Sequence, residues 1–244
     1  MKARPIEALA RGLRILEVLS RASGSMGNGQ LSRATGLPPS TVSRLTDSLV
    51  QLGYLRVNPD SGAYVLTPKN LRLGYPVLAN LPVAARAQKT LDQLTDTTGL
   101  TSALAVRDDL HVVFVVVARA RKATAVNLAV GGRLPISVSA AGIAFLRAMS
   151  EPDKSRVTTT IRNDLVRRGQ PTDEFDARLA DRYNSYLASF GGWHSDVGGV
   201  ATAIRSGGEL YSLTLIARTA DVSSEDIEGR LVPALLTAAE QLSD

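Results

Sequence analysis

Hydroxyls and an arginine crowd one short stretch of the chain, Leu37-Pro38-Pro39-Ser40-Thr41-Val42-Ser43-Arg44-Leu45. Ser40, Thr41, Ser43 and Arg44 stand close behind Pro39, where the residue order predicts a helix start. Hydroxyls and free N–H groups at such a place suit phosphate oxygens, and arginine pairs bidentately with guanine O6 and N7. That is the chemistry of a major-groove reader. A surface helix with a solvated face uses the same residue types, so the neighbours decide between the two.

The helix that would position these groups has a sharp start and stop. Gly36 suits the end of a preceding helix, Pro38-Pro39 a first helical turn, and Gly53 a C-terminus. Val42, Leu45, Leu49 and Leu52 make a narrow apolar stripe at helical spacing. Upstream, Pro5 to about Arg21 reads as a first helix with Ile6, Leu9, Leu13 and Leu16 on one face. A short helix follows over about 30–35, and the set makes a helix-turn-helix. Tyr54–Val57 and Ala63–Leu66 read as strands around the turn-rich Asn58-Pro59-Asp60-Ser61-Gly62, which adds a wing. Arg56 at its base and Asn58 and Ser61 near its tip are placed to touch backbone phosphates or the minor groove. The candidate DNA-binding residues are Arg14, Arg33, Pro39, Ser40, Thr41, Ser43, Arg44, Arg56, Asn58 and Ser61.

Charge supports that reading through its distribution. Residues 1–74 hold ten Lys/Arg against four Asp/Glu, whereas the rest hold 18 against 19. The basic excess therefore sits in the first third, as expected for a polyanion-binding module joined to a neutral one. No apolar run reaches membrane-spanning length and no signal-like run follows the N-terminus, so a cytoplasmic protein with no membrane partner is expected. The 244 residues include no cysteine, which removes disulfides, thiol nucleophiles and cysteine-ligated zinc.

With both halves in view, the sequence resembles the IclR-type bacterial transcriptional regulators. The block Leu37–Leu45 is similar to their recognition-helix signature, and Gly132-Arg133-Leu134-Pro135-Ile136-Ser137-Val138-Ser139-Ala140-Ala141-Gly142 to their second signature. The resemblance covers essentially the whole chain. It implies an α+β protein: an N-terminal winged helix-turn-helix (1–67), a linker helix (68–81) and a C-terminal GAF-like α/β effector-binding domain (82–244). It also implies double-stranded operator DNA as one partner, a small-molecule effector as another, and a homodimer or dimer of dimers. Without the resemblance, 68–80 reads either as a linker or as a dimer seam.

In the second domain the pattern predicts a helix over 83–98 and strands over 101–107, 111–118 and 124–130. Helices over 137–149, 153–168 and 174–189 follow, then strands over 198–204 and 209–217 and a helix over 224–242. Small residues at 139–142 let a ligand approach backbone N–H groups at a helix start, which favours an anionic head group. They equally permit close packing of helix on sheet. The resemblance favours the pocket, with Leu128, Leu134, Ser139, Ala140, Ala141, Gly142, Asp196, Gly199 and Thr214 as candidate effector-binding residues and a carboxylate or aromatic acid as effector. Two departures bear on it. Ile143 stands where the family commonly has lysine, and Gly191–Gly199 is shorter than usual, with only His194, Ser195 and Asp196 as polar groups. They predict a pocket that is smaller, more apolar or unused.

Elsewhere bland readings are preferred. His111 and His194, the only histidines, make a poor metal site, Trp193 is a packing anchor, and Asp108-Asp109 is a turn. Arg119-Ala120-Arg121-Lys122 is a solvated hairpin end or a subunit contact. No Walker loop, G-x-S-x-G or H-E-x-x-H occurs, so no enzyme, cofactor or metal is expected. The competing reading is an architectural DNA-binding protein whose second domain serves only oligomerisation.

Overall fold

The computed structural model describes residues 5–22, 24–120, 128–180 and 185–244. The chain divides into two compact units, Met1–Asn80 and Leu81–Asp244.

The first unit packs α1 (Glu7–Arg21), α2 (Asn28–Thr35) and α3 (Pro39–Gln51) against one another. Ile15 and Leu19 of α1, Leu31 of α2, Val42 of α3 and Leu55 form its buried centre. The α2–α3 corner turns at Gly36, whose φ of 71° is the left-handed conformation that glycine adopts without penalty. The Ser32 hydroxyl donates to the Leu37 carbonyl at 2.7 Å and ties the corner. β1 (Leu55–Val57) and β2 (Tyr64–Leu66) pair antiparallel, and Met26 bridges to Tyr64 at the far edge. After the wing, a 3-10 turn (Pro68–Asn70) leads into α4 (Leu71–Ala79), which runs through Pro76.

In the second unit, α5 (Ala84–Thr98) precedes the hairpin β3 (Thr101–Asp108) and β4 (His111–Ala118), then β5 (Arg133–Pro135). Three helices follow, α6 (Ala140–Ala148), α7 (Glu151–Arg167) and α8 (Asp173–Ala180). β6 (Leu187–His194), β7 (Val197–Ser206) and β8 (Glu209–Arg218) complete the sheet. The chain ends in α9 (Ser224–Asp226), a π-helical turn (Ile227–Leu231) and α10 (Val232–Leu242). Among the described residues the sheet has six strands in the order β5-β4-β3-β8-β7-β6, every pair antiparallel. Alternation divides its faces. Ala103, Ala105, Val112, Phe114 and Ile216 pack with α6, and Ser102 faces α5, its hydroxyl donating to the Leu91 carbonyl. The turn at Asp108-Asp109 puts Asp109 at φ 51°.

Three expectations for this unit need correction. Of the helix over 174–189, Asp173–Ala180 is helical, 181–184 lie outside the described residues, and 187–194 is a strand instead. Leu187, Ala188, Ser189 and Phe190 pair with Ala201, Val200, Gly199 and Gly198, and Gly191-Gly192 is poor helix interior. Of the strand over 124–130, residues 124–127 lie outside the described residues and 128–130 are irregular, with the strand falling at β5. The helix over 137–149 begins at Ala140, because the Ser139 side chain accepts the Gly142 N–H and sets the cap there. Arg121 and Lys122 also lie outside the described residues.

Tyr211 of β8 is fully buried, and its hydroxyl has no hydrogen-bond partner among the described residues. Burial, and secondly the Glu209 carboxylate, push its pKa up. Because an unpaired buried hydroxyl costs stability, Tyr211→Phe should raise the unfolding free energy by about 1 kcal/mol in a urea titration. A loss of similar size would show that the hydroxyl has a partner.

Candidate DNA interface and effector site

On α3 the buried stripe is Val42 and Thr46, the latter satisfied by its own helix through the Val42 and Ser43 carbonyls at 2.9 Å each. Pro39, Ser40 and Arg44 are therefore turned outward and exposed, with Thr41 and Ser43 half-buried beside them. No side chain caps the helix start; Pro39 has no N–H and the Thr41 and Val42 N–H groups donate to the Pro38 carbonyl at 3.0 Å each, which leaves the Ser40 N–H to meet an anion. Arg11 and Arg21 of α1 are ion-paired with Glu7 and Glu17. Arg14, Arg33, Arg44 and Arg56 are exposed and take no ion-pair or hydrogen-bond partner among the described residues. Four uncommitted guanidinium groups on one small basic unit suit a polyanion better than an internal network.

The turn of the wing engages the acceptor atoms of two candidate residues. Asn58 Oδ1 accepts the Asp60 N–H at 2.9 Å, and Ser61 Oγ accepts the Ala63 N–H at 3.4 Å. Both side chains hold the turn, and exposed Asp60 puts a negative charge at the tip. Arg56 remains as the wing's cationic contact. Arg56→Ala should weaken binding to every duplex and reduce the slope of log K against log salt by about one. A loss confined to one sequence would instead make Arg56 a base reader.

In the second unit a small cavity lies where the N-terminus of α6 meets the concave side of the sheet. Leu128, Leu134, Ser139, Ala140, Ala141, Gly199 and Thr214 line it, together with Val138, Ser189, Trp193, Val197, Gly198 and Ile216. Its volume is about 30 Å³, room for one or two waters. The polar side chains are committed. Ser139 Oγ donates to the Pro135 carbonyl at 2.6 Å, Thr214 Oγ1 to the Val200 carbonyl at 3.2 Å and Ser189 Oγ to the Val138 carbonyl at 2.8 Å. The Ala140 and Ala141 N–H groups, first on α6, take no acceptor among the described residues.

Two candidates fall outside the lining. Asp196 is exposed in the β6–β7 turn, accepting from the Ser195 hydroxyl at 3.1 Å. Gly142 is a packing residue, since a Cβ there would stand 2.4 Å from Ile136 Cα. Ile143 is fully buried in the core. Trp193 is a wall rather than a buried anchor, at 42% exposure. The lining from β6 was missed because 187–189 read as helix, and the Gly191-Gly192 pair was the signal against it. A larger hollow of about 600 Å³ beside α7 and α8 is lined by charges already paired, Lys154 with Glu151 and Arg162 with Asp176.

A winged helix-turn-helix with an uncommitted basic face, followed by an α/β unit with a cavity at a helix N-terminus, defines a DNA-binding regulator. Residues 8–59 match the IclR helix-turn-helix domain, and residues 75–244 match the bacterial transcriptional regulator IclR C-terminal domain. The chain belongs to the IclR family of transcriptional regulators. It is 35% identical to the HTH-type transcriptional regulator TsaQ1/TsaQ2 of Comamonas testosteroni, over 82% of this chain and 73% of the relative. It is 29% identical to the Pca regulon regulatory protein of Pseudomonas putida, over 96% and 82%. The crystal structure of an IclR family regulator from Brucella abortus superposes with a TM-score of 0.75 at 32% identity, covering 97% of this chain and 91% of that one. A Microbacterium hydrocarbonoxydans homologue solved with 4-hydroxybenzoate shares the fold at a TM-score of 0.66 and 23% identity, over 97% and 99%. Among the described residues no helix is long and apolar enough to cross a membrane.

Proposed function

We propose that this regulator acts in the cytoplasm as a homodimer or dimer of dimers, reads a palindromic operator with α3, and is modulated by a small organic acid, aromatic by preference. Residues 1–67 bind DNA, 68–81 link, and 82–244 bind the effector and associate. The observation that carries the DNA half is the uncapped start of α3 beside unpaired Arg44. For the dimer, Ile6 just before α1, Leu9 and Leu13 of α1, and Leu71, Leu73, Tyr75 and Val77 of α4 are exposed apolar side chains that a second copy would cover. Half-sites then lie about one helical turn apart or a multiple of it. For the effector, the Ala140 and Ala141 N–H groups suit a carboxylate, and the 4-hydroxybenzoate seen in the Microbacterium homologue is an acid of that class.

The small cavity favours a second reading, in which the domain only associates and binds no ligand. Linkage separates the two. An effector that shifts operator affinity by a factor of about 5–150 must have its own affinity shifted by the same factor when operator is bound. Titrating the DNA complex with a panel of organic acids should find such a compound by fluorescence anisotropy and calorimetry. If no acid changes either affinity, the domain is an association module.

A further inference from the structure

Beside the inner cavity lies a second hollow of about 220 Å³, floored by Leu110, Ile161 and Leu165 and rimmed by Arg168 and Gln170. Val138 and Trp193 line both spaces and so form the partition between them. The inner space alone is too small for a ring, since a cavity that takes up benzene measures on the order of 150 Å³. The two halves of the partition differ in how they are held. The Val138 carbonyl accepts from Arg178 Nη1 and Ser189 Oγ, both at 2.8 Å. The Trp193 indole is half-exposed, and the ring of the adjacent His194 lies 6.1 Å away.

Its backbone is the irregular part of β6. The ladder runs to Phe190 opposite Gly198, breaks, and resumes with His194 opposite Val197. Gly191 inside the break has φ 73°. The hairpin tip is tied down, the Thr219 N–H donating to the Asp196 carbonyl at 2.9 Å and its hydroxyl to the Ser195 carbonyl at 3.1 Å. The break in the ladder is therefore confined to residues 191–193, and Trp193 sits in it.

We propose that Trp193 is a movable partition whose rotation toward solvent joins the two hollows into one chamber for a monocyclic aromatic acid. The proposal rests on the effector reading above. The joined chamber offers the Ala140 and Ala141 N–H groups to a carboxylate at its inner end, apolar walls in its inner part, and a mixed lining beyond Trp193. At the outer end Asp164 takes both Arg168 at 2.8 Å and Arg167 at 3.0 Å, with Gln170, Ser137 and His111 in the same lining, a polar rim. Such a rim offers hydrogen-bond partners to a hydroxyl on the far side of the ring. A closed partition reduces apparent affinity by the fraction of molecules that are open.

Trp193 is the single tryptophan, so its emission reports the partition alone. The full chain is titrated with 4-hydroxybenzoate and with benzoate, following tryptophan emission, acrylamide quenching and heat. Expected are a shift to longer wavelength, easier quenching and tighter binding of 4-hydroxybenzoate than of benzoate. Trp193→Ala, followed by heat, should bind 4-hydroxybenzoate about tenfold tighter, with Trp193→Phe between. Binding that leaves the emission unchanged and is unaffected by either substitution overturns the partition and leaves the effector site standing. Failure of both acids to bind wild type and variants, while another organic acid passes the linkage test, overturns the proposal alone. Failure of every acid in that test removes the effector reading with it.

Discussion

Arg44→Ala should lower affinity for the cognate operator by about tenfold to a hundredfold while leaving a scrambled duplex of equal length nearly unchanged. The asymmetry follows from what the side chain can contact. A guanidinium bidentate to a guanine contributes about 1–3 kcal/mol of discrimination against another base, whereas a phosphate contact is indifferent to sequence. Arg44 is exposed on the outward face of α3, one turn beyond Ser40, and no carboxylate among the described residues claims it. Asp47 is three residues on, yet no ion pair joins the two. Paired titrations at one salt concentration measure both affinities. Equal losses on the two duplexes would make Arg44 a phosphate contact.

Gly142→Ala sets two effects against each other. Within α6, alanine is a better helix former than glycine by about 1 kcal/mol. Against this, the new Cβ would meet Ile136 Cα at 2.4 Å, the Ile136 carbonyl at 2.8 Å and the Ser139 hydroxyl at 2.8 Å. Two of these neighbours are backbone, which cannot rotate away, so overpacking at or beyond the usual 1–3 kcal/mol wins. The net expectation is a loss of about 2 kcal/mol, a fall of several degrees in melting temperature. Displacing Ser139 also disturbs the cap and the N–H pair behind it, so any acid binding should weaken with stability. Gly12 of α1 is the contrast: a Cβ there meets nothing within 4 Å, and Gly12→Ala should stabilise by about 0.5–1 kcal/mol. If Gly142→Ala leaves thermal unfolding unchanged, the approach of α6 to Ile136 is looser than described.

What could be read from residues alone was whatever local chemistry dictates. Gly36, Pro39 and Gly53 bracket α3 because each suits one backbone conformation, and the structure places the helix at Pro39–Gln51. The wing was legible from its turn residues, and the 101–108 and 111–118 hairpin from its apolar runs. What escaped depends on tertiary pairing. β5 is three residues long and exists only as the partner of β4, and β6 follows a helix with no periodicity to mark the change. The β6 share of the cavity's lining escaped with that strand, because Ser189 and Trp193 belong to 187–194, whereas seven candidates from other elements do line it. Its volume is a property of packing, which no spacing rule reports. Asn58 and Ser61 hold the turn through their acceptor atoms, and residue type alone does not separate that role from a phosphate contact by their donors.

The central claim, that α3 reads a specific operator, is tested most directly by fluorescence anisotropy on duplexes tiled across the DNA flanking the protein's own gene. Titrations run at two salt concentrations with scrambled competitor present. One duplex should stand out by a factor of about a thousand or more, and its advantage over the others should persist at the higher salt. Uniform binding that falls steeply with salt on every duplex would contradict base reading by α3 and leave only phosphate contacts.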